Sequence, residues 1–140
     1  MAIFMSNNVT FTFNAIDLSE YVRSVTLNNK VDSLEVTHMG STSHEFIAGL
    51  SSSSMDIEFT QDFAASKVYA TIYSTIGTTK VITLKQNPVA GTTTVSATNP
   101  LFTFTVFVDQ FNPIEGATGD LAGTSCSWQC VTPVVATTTP

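Results

Sequence analysis

Charge is what this chain has least of. Of its 140 residues, 11% are Asp, Glu, Lys or Arg, less than half the quarter that soluble domains usually carry. Basic groups are rarest: Lys30, Lys67, Lys80, Lys85 and Arg23 stand against 11 acidic residues, a formal net charge of −6. A surface of that sign repels nucleic-acid phosphates, which excludes ordinary DNA binding. Long apolar runs are also missing, so no segment reaches the roughly 20 residues of a membrane span. The start, MAIFMSNN, has neither the basic opening nor the apolar stretch of about 7–15 residues that marks a secretory leader. The expectation is a chain made and folded in the cytosol, with no membrane partner.

Cysteine is confined to Cys126 and Cys130 in SCSWQC. On a strand, four residues at about 3.3 Å each separate their Cα atoms by roughly 13 Å, beyond the disulfide limit of about 7 Å. Two thiols do not complete a thiolate metal site, so both are expected as small buried hydrophobes.

Catalytic signatures are missing as well. There is no G-x-S-x-G, no G-x-G-x-x-G and no P-loop. His38 and His44 lie six residues apart with no third ligand in view. Glu45 adjoins His44 but points the other way on an extended chain. Asp56 and Glu58 share one strand face about 7 Å apart, a separation that glycosidase carboxylates also use. Both come from a single strand, however, on its solvent side. Asp62, Glu115 and Asp120 read as cap and turn residues. These absences predict no enzyme, no cofactor and no metal.

What is present is β-strand periodicity. Hydrophobic residues make up 43% of the chain, enough for a sizeable core, and most recur with period two. Val9, Phe11 and Phe13 alternate with Thr10 and Thr12. YVRSVTLN slips by one step, which predicts a bulge near Ser24. VDSLEVTHM alternates again. In MDIEFTQ, Met55, Ile57 and Phe59 face one way and Asp56, Glu58 and Thr60 the other. KVITLK, LFTFTVFV and TSCSWQCV supply further strands, the last with Cys126, Trp128 and Cys130 on one face.

One helix is predicted over 62–77. Asp62 is its N-cap, Ala65, Val68, Tyr69, Ile72 and Ile76 its apolar stripe, and Gly77 its stop. Loops are predicted at 51–54 (SSSS), 87–94 (NPVAGTTT) and 112–120 (NPIEGATGD). The fold class is therefore mainly β, a sandwich or barrel with one α-helix packed on it. A single domain is expected over 1–131, followed by a flexible C-terminal arm over 132–140.

The excursion over 31–53 is too long for a plain connection. Met39, Gly40, Ser41, Thr42, Ser43, His44 and Glu45 read as a polar stem. Phe46, Ile47, Ala48, Gly49 and Leu50 read as an apolar docking tip. Five basic groups defend few strand edges, and lightly defended edges invite pairing with another copy.

The segment VDSLEVTHMGSTSHEFIAGLSSSSMDIEFTQDFAASKVYATIYSTIG resembles the core of tail tube proteins (major tail proteins) of long non-contractile-tailed bacteriophages. In that family a strand enters a turn, here Leu34 to Thr37 and then Gly40 to Ser43. An aromatic-Ile-x-Gly-Leu element follows, here within Glu45 to Leu50. An alternating strand and a helix complete it, here Ser54 to Thr60 and Asp62 to Gly77. The likeness covers about a third of the chain. Ala48 stands where the family often has Pro, and SSSS where it often has a Pro-Gly turn.

The resemblance implies hexameric rings that stack into a tube, with sheets of six subunits joined around a lumen through which DNA passes as cargo. The helix would pack outside that sheet, the loop over 39–50 would reach the adjacent ring, and terminal arms would reinforce the stack. Asp56, Glu58 and Thr60 would then face the lumen. Partners would be further copies and other phage tail proteins; the location, the virion tail, assembled in the host bacterial cytoplasm. A neck or tail-terminator ring, a capsid decoration protein, and a non-viral β-sandwich binding module are the alternatives.

Overall fold

In a computed structural model, which describes residues 9–87 and 94–139, alternation along the strands decides which side chains meet. Phe11 and Phe13 of β1 (Thr10–Phe13), Met55, Ile57 and Phe59 of β6 (Ser54–Thr60), and Cys126 and Trp128 of β9 (Gly123–Cys130) are buried, and their neighbours in sequence face outward. The remaining strands are β2 (Ile16–Asp17), β3 (Val22–Asn28), β4 (Val31–Glu35), β5 (Phe46–Ser51), β7 (Thr79–Lys85), β8 (Leu101–Phe107) and β10 (Val135–Thr137). The bulge expected near Ser24 is present as a register shift between Val22 and Ser24.

The main sheet is antiparallel, in the order β2-β1-β7-β8-β9-β6-β3, with β10 also on β8. β6 and β9 are matched along all of β6, but β8 meets β9 only at Val106–Cys130 and Phe107–Gln129. Along the start of β8, β10 takes that edge instead. The sheet turns over at this short seam, so the apolar faces of its two halves meet. The Phe11 and Phe59 rings lie 5.5 Å apart, edge to face, and Phe13 and Trp128 5.7 Å apart. The fully buried Trp128 keeps its indole N–H satisfied by donating to the Gln110 carbonyl at 2.9 Å, as a buried indole must.

Three expectations change. The helix is shorter than its apolar stripe implied: α1 spans Val68–Ile72, followed by a 3-10 turn at Tyr73–Thr75. Ser66 takes a left-handed φ of 63°, which a growing helix does not tolerate. Asp62 accordingly caps a turn before the helix, accepting from Ala64 N at 2.8 Å. Val68 and Ile72 are fully buried and Tyr69 packs on the core, whereas Ala65 and Ile76 are exposed. Gly77 ends the segment with φ +89° and donates to the Val108 carbonyl at 2.7 Å.

The segment 132–139 is not a free arm, because Val135, Ala136 and Thr137 pair with Thr103, Phe102 and Leu101. The physical reason is the edge of β8 that the diverging β9 leaves open. Finally, 31–53 is a hairpin of two strands. Of the loop expected over 87–94, only Asn87 and Thr94 fall within the described residues.

Candidate assembly surfaces

The β4–β5 hairpin forms a sheet of its own, with Leu34 opposite Ile47, Glu35 opposite Phe46 and Ser33 opposite Ala48. Phe46 to Leu50, expected as a loop tip, is instead a strand. A strand such as Val31–Glu35 needs a partner for its backbone groups, and Phe46 and Ile47 are good strand formers. The turn is polar, running through Met39, Gly40, Ser41, Thr42 and Ser43, with Met39 wholly exposed. Gly49 sits where β5 passes close to the bulge in β4: an added Cβ would meet Asp32 O at 3.2 Å and Asp32 Cβ at 3.3 Å.

No residue of this hairpin is buried. Val31, Leu34, Phe46 and Ile47 are each at least half exposed, and Leu50 is 82% exposed. Apolar residues occur on both faces, because Leu34 and Ile47 share one while Phe46, Ala48 and Leu50 alternate onto the other. A two-stranded hairpin alone is marginal in water, and a contiguous exposed apolar surface marks an interaction site.

The hairpin's base, in contrast, is fixed. Ser53 is buried; its hydroxyl accepts from Lys30 N at 3.2 Å and donates to Asn29 Oδ1 at 3.0 Å. Ser52 N donates to Lys30 O at 2.8 Å, and Ser52 Oγ to Asp32 Oδ1 at 3.1 Å. The SSSS stretch, expected as a flexible link, is therefore a clamp that sets the hairpin's direction.

The histidines each find a carboxylate, but crosswise. His44 Nδ1 lies 3.3 Å from Glu35, and His38 Nδ1 3.6 Å from Glu45. All four side chains are about half or more exposed, where such pairs contribute about 1 kcal/mol or less. Among the described residues no group of three His, Cys, Asp or Glu is placed to hold a metal ion.

A second surface lies on the outward face of β3, β6 and β9. Asp56 sits between Thr26 and Ser127, and Glu58 between Ser24 and Ser125. Ser127 Oγ donates to Asp56 Oδ1 at 2.6 Å, and Arg23 pairs with Glu58 at 3.2 Å. Thr60 continues the row opposite Gly123. Glu115, read from sequence as a turn residue, reaches the same face. It accepts from Ser125 N at 3.1 Å and Ser125 Oγ at 3.0 Å, and these bonds hold its carboxyl below the usual range. Glu58, Glu115, Asp120 and Arg23 line a shallow hollow of about 380 Å³. The face is thus hydroxyl-rich and acidic. Nothing in the local sequence around Glu115 marked it, since only the tertiary fold brings 109–122 over β9.

Cys126 is buried and Cys130 half-buried, and both are free thiols. Burial pushes the Cys126 thiol up to about 12, so neither its environment nor its partners suit a nucleophile.

No family model matches the chain, and no curated protein matches it in sequence. Solved structures do. The chain is similar to one from the virion of a native gene transfer agent (GTA) particle, with TM-score 0.70 and 9% identity over 93% of this chain and 95% of that one. It is similar to a chain of the sheath-tube complex of an extracellular contractile injection system, PVC, in the extended state (TM-score 0.65, 14% identity, 97% and 92% covered). A third is a chain from the tail of an empty GTA particle with C6 symmetry (TM-score 0.59, 14% identity, 84% and 82% covered). The chain has the tail-tube-like fold. The likeness extends over 84–97% of this chain in these three structures. At such identities the likeness concerns backbone architecture alone, so the surfaces have to be argued from their own chemistry.

Proposed function

We propose that this chain is a structural subunit of a phage-type tail tube, stacked as hexameric rings around a channel for DNA. The observation that carries the reading is the projecting β4–β5 hairpin, which exposes Leu34, Phe46, Ile47 and Leu50 on a fixed base. Complete burial of such a side chain contributes roughly 1.5–3 kcal/mol, and the half or more still open on each is available to a neighbour. Repeated around a ring, that is ample to hold a stack.

Two further features support it. β3 is a terminal strand of the main sheet with seven residues, an edge that another copy can extend. The acidic, hydroxyl-rich face of Asp56, Glu58 and Thr60 suits a lumen, because carboxylates there repel the DNA backbone and let it slide without sticking. The chain then works without a catalytic group or cofactor. Its partners are further copies and other tail proteins, its place is the virion tail, and it assembles in the host bacterial cytoplasm.

Negative-stain electron microscopy of concentrated protein tests this. Rings and tubes are expected, with many copies per tail in the particle. A protein that stays monomeric at high concentration, or a particle with a single ring of it, would overturn the tube role.

A further inference from the structure

We propose that Ala2, Ile3, Phe4 and Met5 seat in an apolar groove of their own subunit and close the gap in its main sheet. This goes beyond the tube role and does not rest on it. The resemblance gives terminal arms work between subunits; here the segment is held within one.

The gap follows from the topology. The main sheet ends at β3 on one side and at β2 on the other, and these ends do not pair. β2 covers only Thr12 and Phe13 of β1, and the Phe11 backbone is met by Leu18 and Ser19. From Thr10 toward Val9, no strand among the described residues continues the sheet on that side. Inward side chains of β3 therefore face those of β7 and β8 across a groove of about 340 Å³, lined by Val9, Val25, Leu27, Leu84, Phe102 and Val134. Val9, Val25, Leu27 and Val134 pack on the core yet stay only half-buried. Aliphatic side chains left open together around one hollow call for an apolar cover.

Continuity of the chain names the occupant. Val9 is itself part of the groove wall, so the residues before it start from inside the groove. Four of them in a row, Ala2 to Met5, are apolar, and Ser6, Asn7 and Asn8 between them and Val9 are turn formers. At about 3.3 Å per residue, Met5 lies within roughly 13 Å of Val9 and Ile3 within roughly 20 Å. A reversal over Ser6–Asn8 brings both back across to Val25 and Leu27. No side chain in 1–8 is charged, so no charge has to be desolvated in the groove. The short tether also holds the segment at a millimolar local concentration, which a separate dilute molecule does not match.

Disulfide trapping within one chain tests the proposal. In a Cys130→Ser background, Phe4→Cys is combined with either Leu27→Cys or Thr26→Cys and oxidised mildly at low protein concentration. Positions 26 and 27 are neighbours on opposite faces of β3: Leu27 lines the groove, and Thr26 lies beside Asp56 on the outer face. The disulfide within one chain is expected to form at least about tenfold faster with Leu27→Cys, because only that side shares the seated thiol's effective concentration. Circular dichroism checks the fold; if Leu27→Cys does not fold, Val25→Cys against Ser24→Cys repeats the comparison on the same strand. Equal rates overturn the proposal. A disulfide that links two chains instead of closing one gives the groove to a second copy and overturns it as well. Independently, Phe4→Ser should lower the urea midpoint of the full chain while Ser6→Ala leaves it in place. An unchanged midpoint for Phe4→Ser would also contradict the seating.

Discussion

Leu34 stands directly opposite Ile47 across the β4–β5 hairpin, and each of the two residues is more than half open to solvent. Cross-strand apolar pairs stabilise a sheet when they are covered; this one is left uncovered on a hairpin whose base is clamped by Ser53. A rigid mount and an unburied contact face together describe an element waiting for another protein surface.

Phe46→Asp is expected to leave the subunit folded and block stacking. Phe46 contributes nothing to the buried core, so the thermal midpoint should stay within a few degrees of wild type. Losing about 1.5–3 kcal/mol of burial per contact should raise the protein concentration needed for assembly by tenfold or more, since each 1.4 kcal/mol is a factor of ten. Light scattering against concentration measures it.

Replacing Asp56 and Glu58 together with Lys should permit assembly and hinder DNA passage. Both side chains face away from the core, so the fold survives, although Arg23 loses its partner. In the proposed tube, each subunit would add two cations to the lumen, which bind phosphate instead of repelling it. Ejection from particles built with the variant should slow, most strongly at low salt. Unchanged ejection removes the lumen assignment.

Much of this fold is legible in the sequence, and the misses have physical causes. Strict alternation in MDIEFTQ and TSCSWQCV declares which face of β6 and β9 is buried, because a one-residue slip would bury Asp56 and Glu58. The helix was overextended because Ala65 and Ile76 happen to continue the stripe of Val68, Tyr69 and Ile72, while the backbone at Ser66 rules out a longer helix. Val135–Thr137 carried no signal of pairing. Its partner edge exists only because β8 and β9 diverge, which no local pattern reports. In the hairpin, the apolar run Phe46–Leu50 was visible, but its pairing with β4 was not. The acidic face was half legible: Asp56, Glu58 and Thr60 sit on one strand, and Glu115 joins them only through the tertiary fold.

Glu115 gives a pH prediction with a definite sign. Hydrogen bonds from Ser125 lower its pKa from an ordinary 4.5. A depressed carboxyl contributes stability that is present above the unfolded value and lost as pH falls through the folded one. Glu115→Gln should therefore leave a shallower loss of stability below about pH 4.5 than wild type shows. Urea midpoints measured from pH 6 down to pH 3 check this; identical slopes would count against the Ser125 contact.

Cys126 should resist alkylation. With its thiol pushed up to about 12, the thiolate fraction at pH 8 is roughly one part in ten thousand, and the sulfur is buried as well. Iodoacetamide should label Cys130 first and Cys126 only in denaturant, as read by mass spectrometry of the peptides. Rapid labelling of Cys126 in the native protein would show that β9 is not packed as described.

The most direct test of the docking role is hydrogen exchange at Phe46–Ser51, compared between free subunits and assembled tubes. The account predicts fast exchange at the open edge of β5 in the free subunit and strong protection on assembly, with β6 and β9 protected in both. Tubes in which the β5 amides exchange as fast as in the free subunit would contradict it.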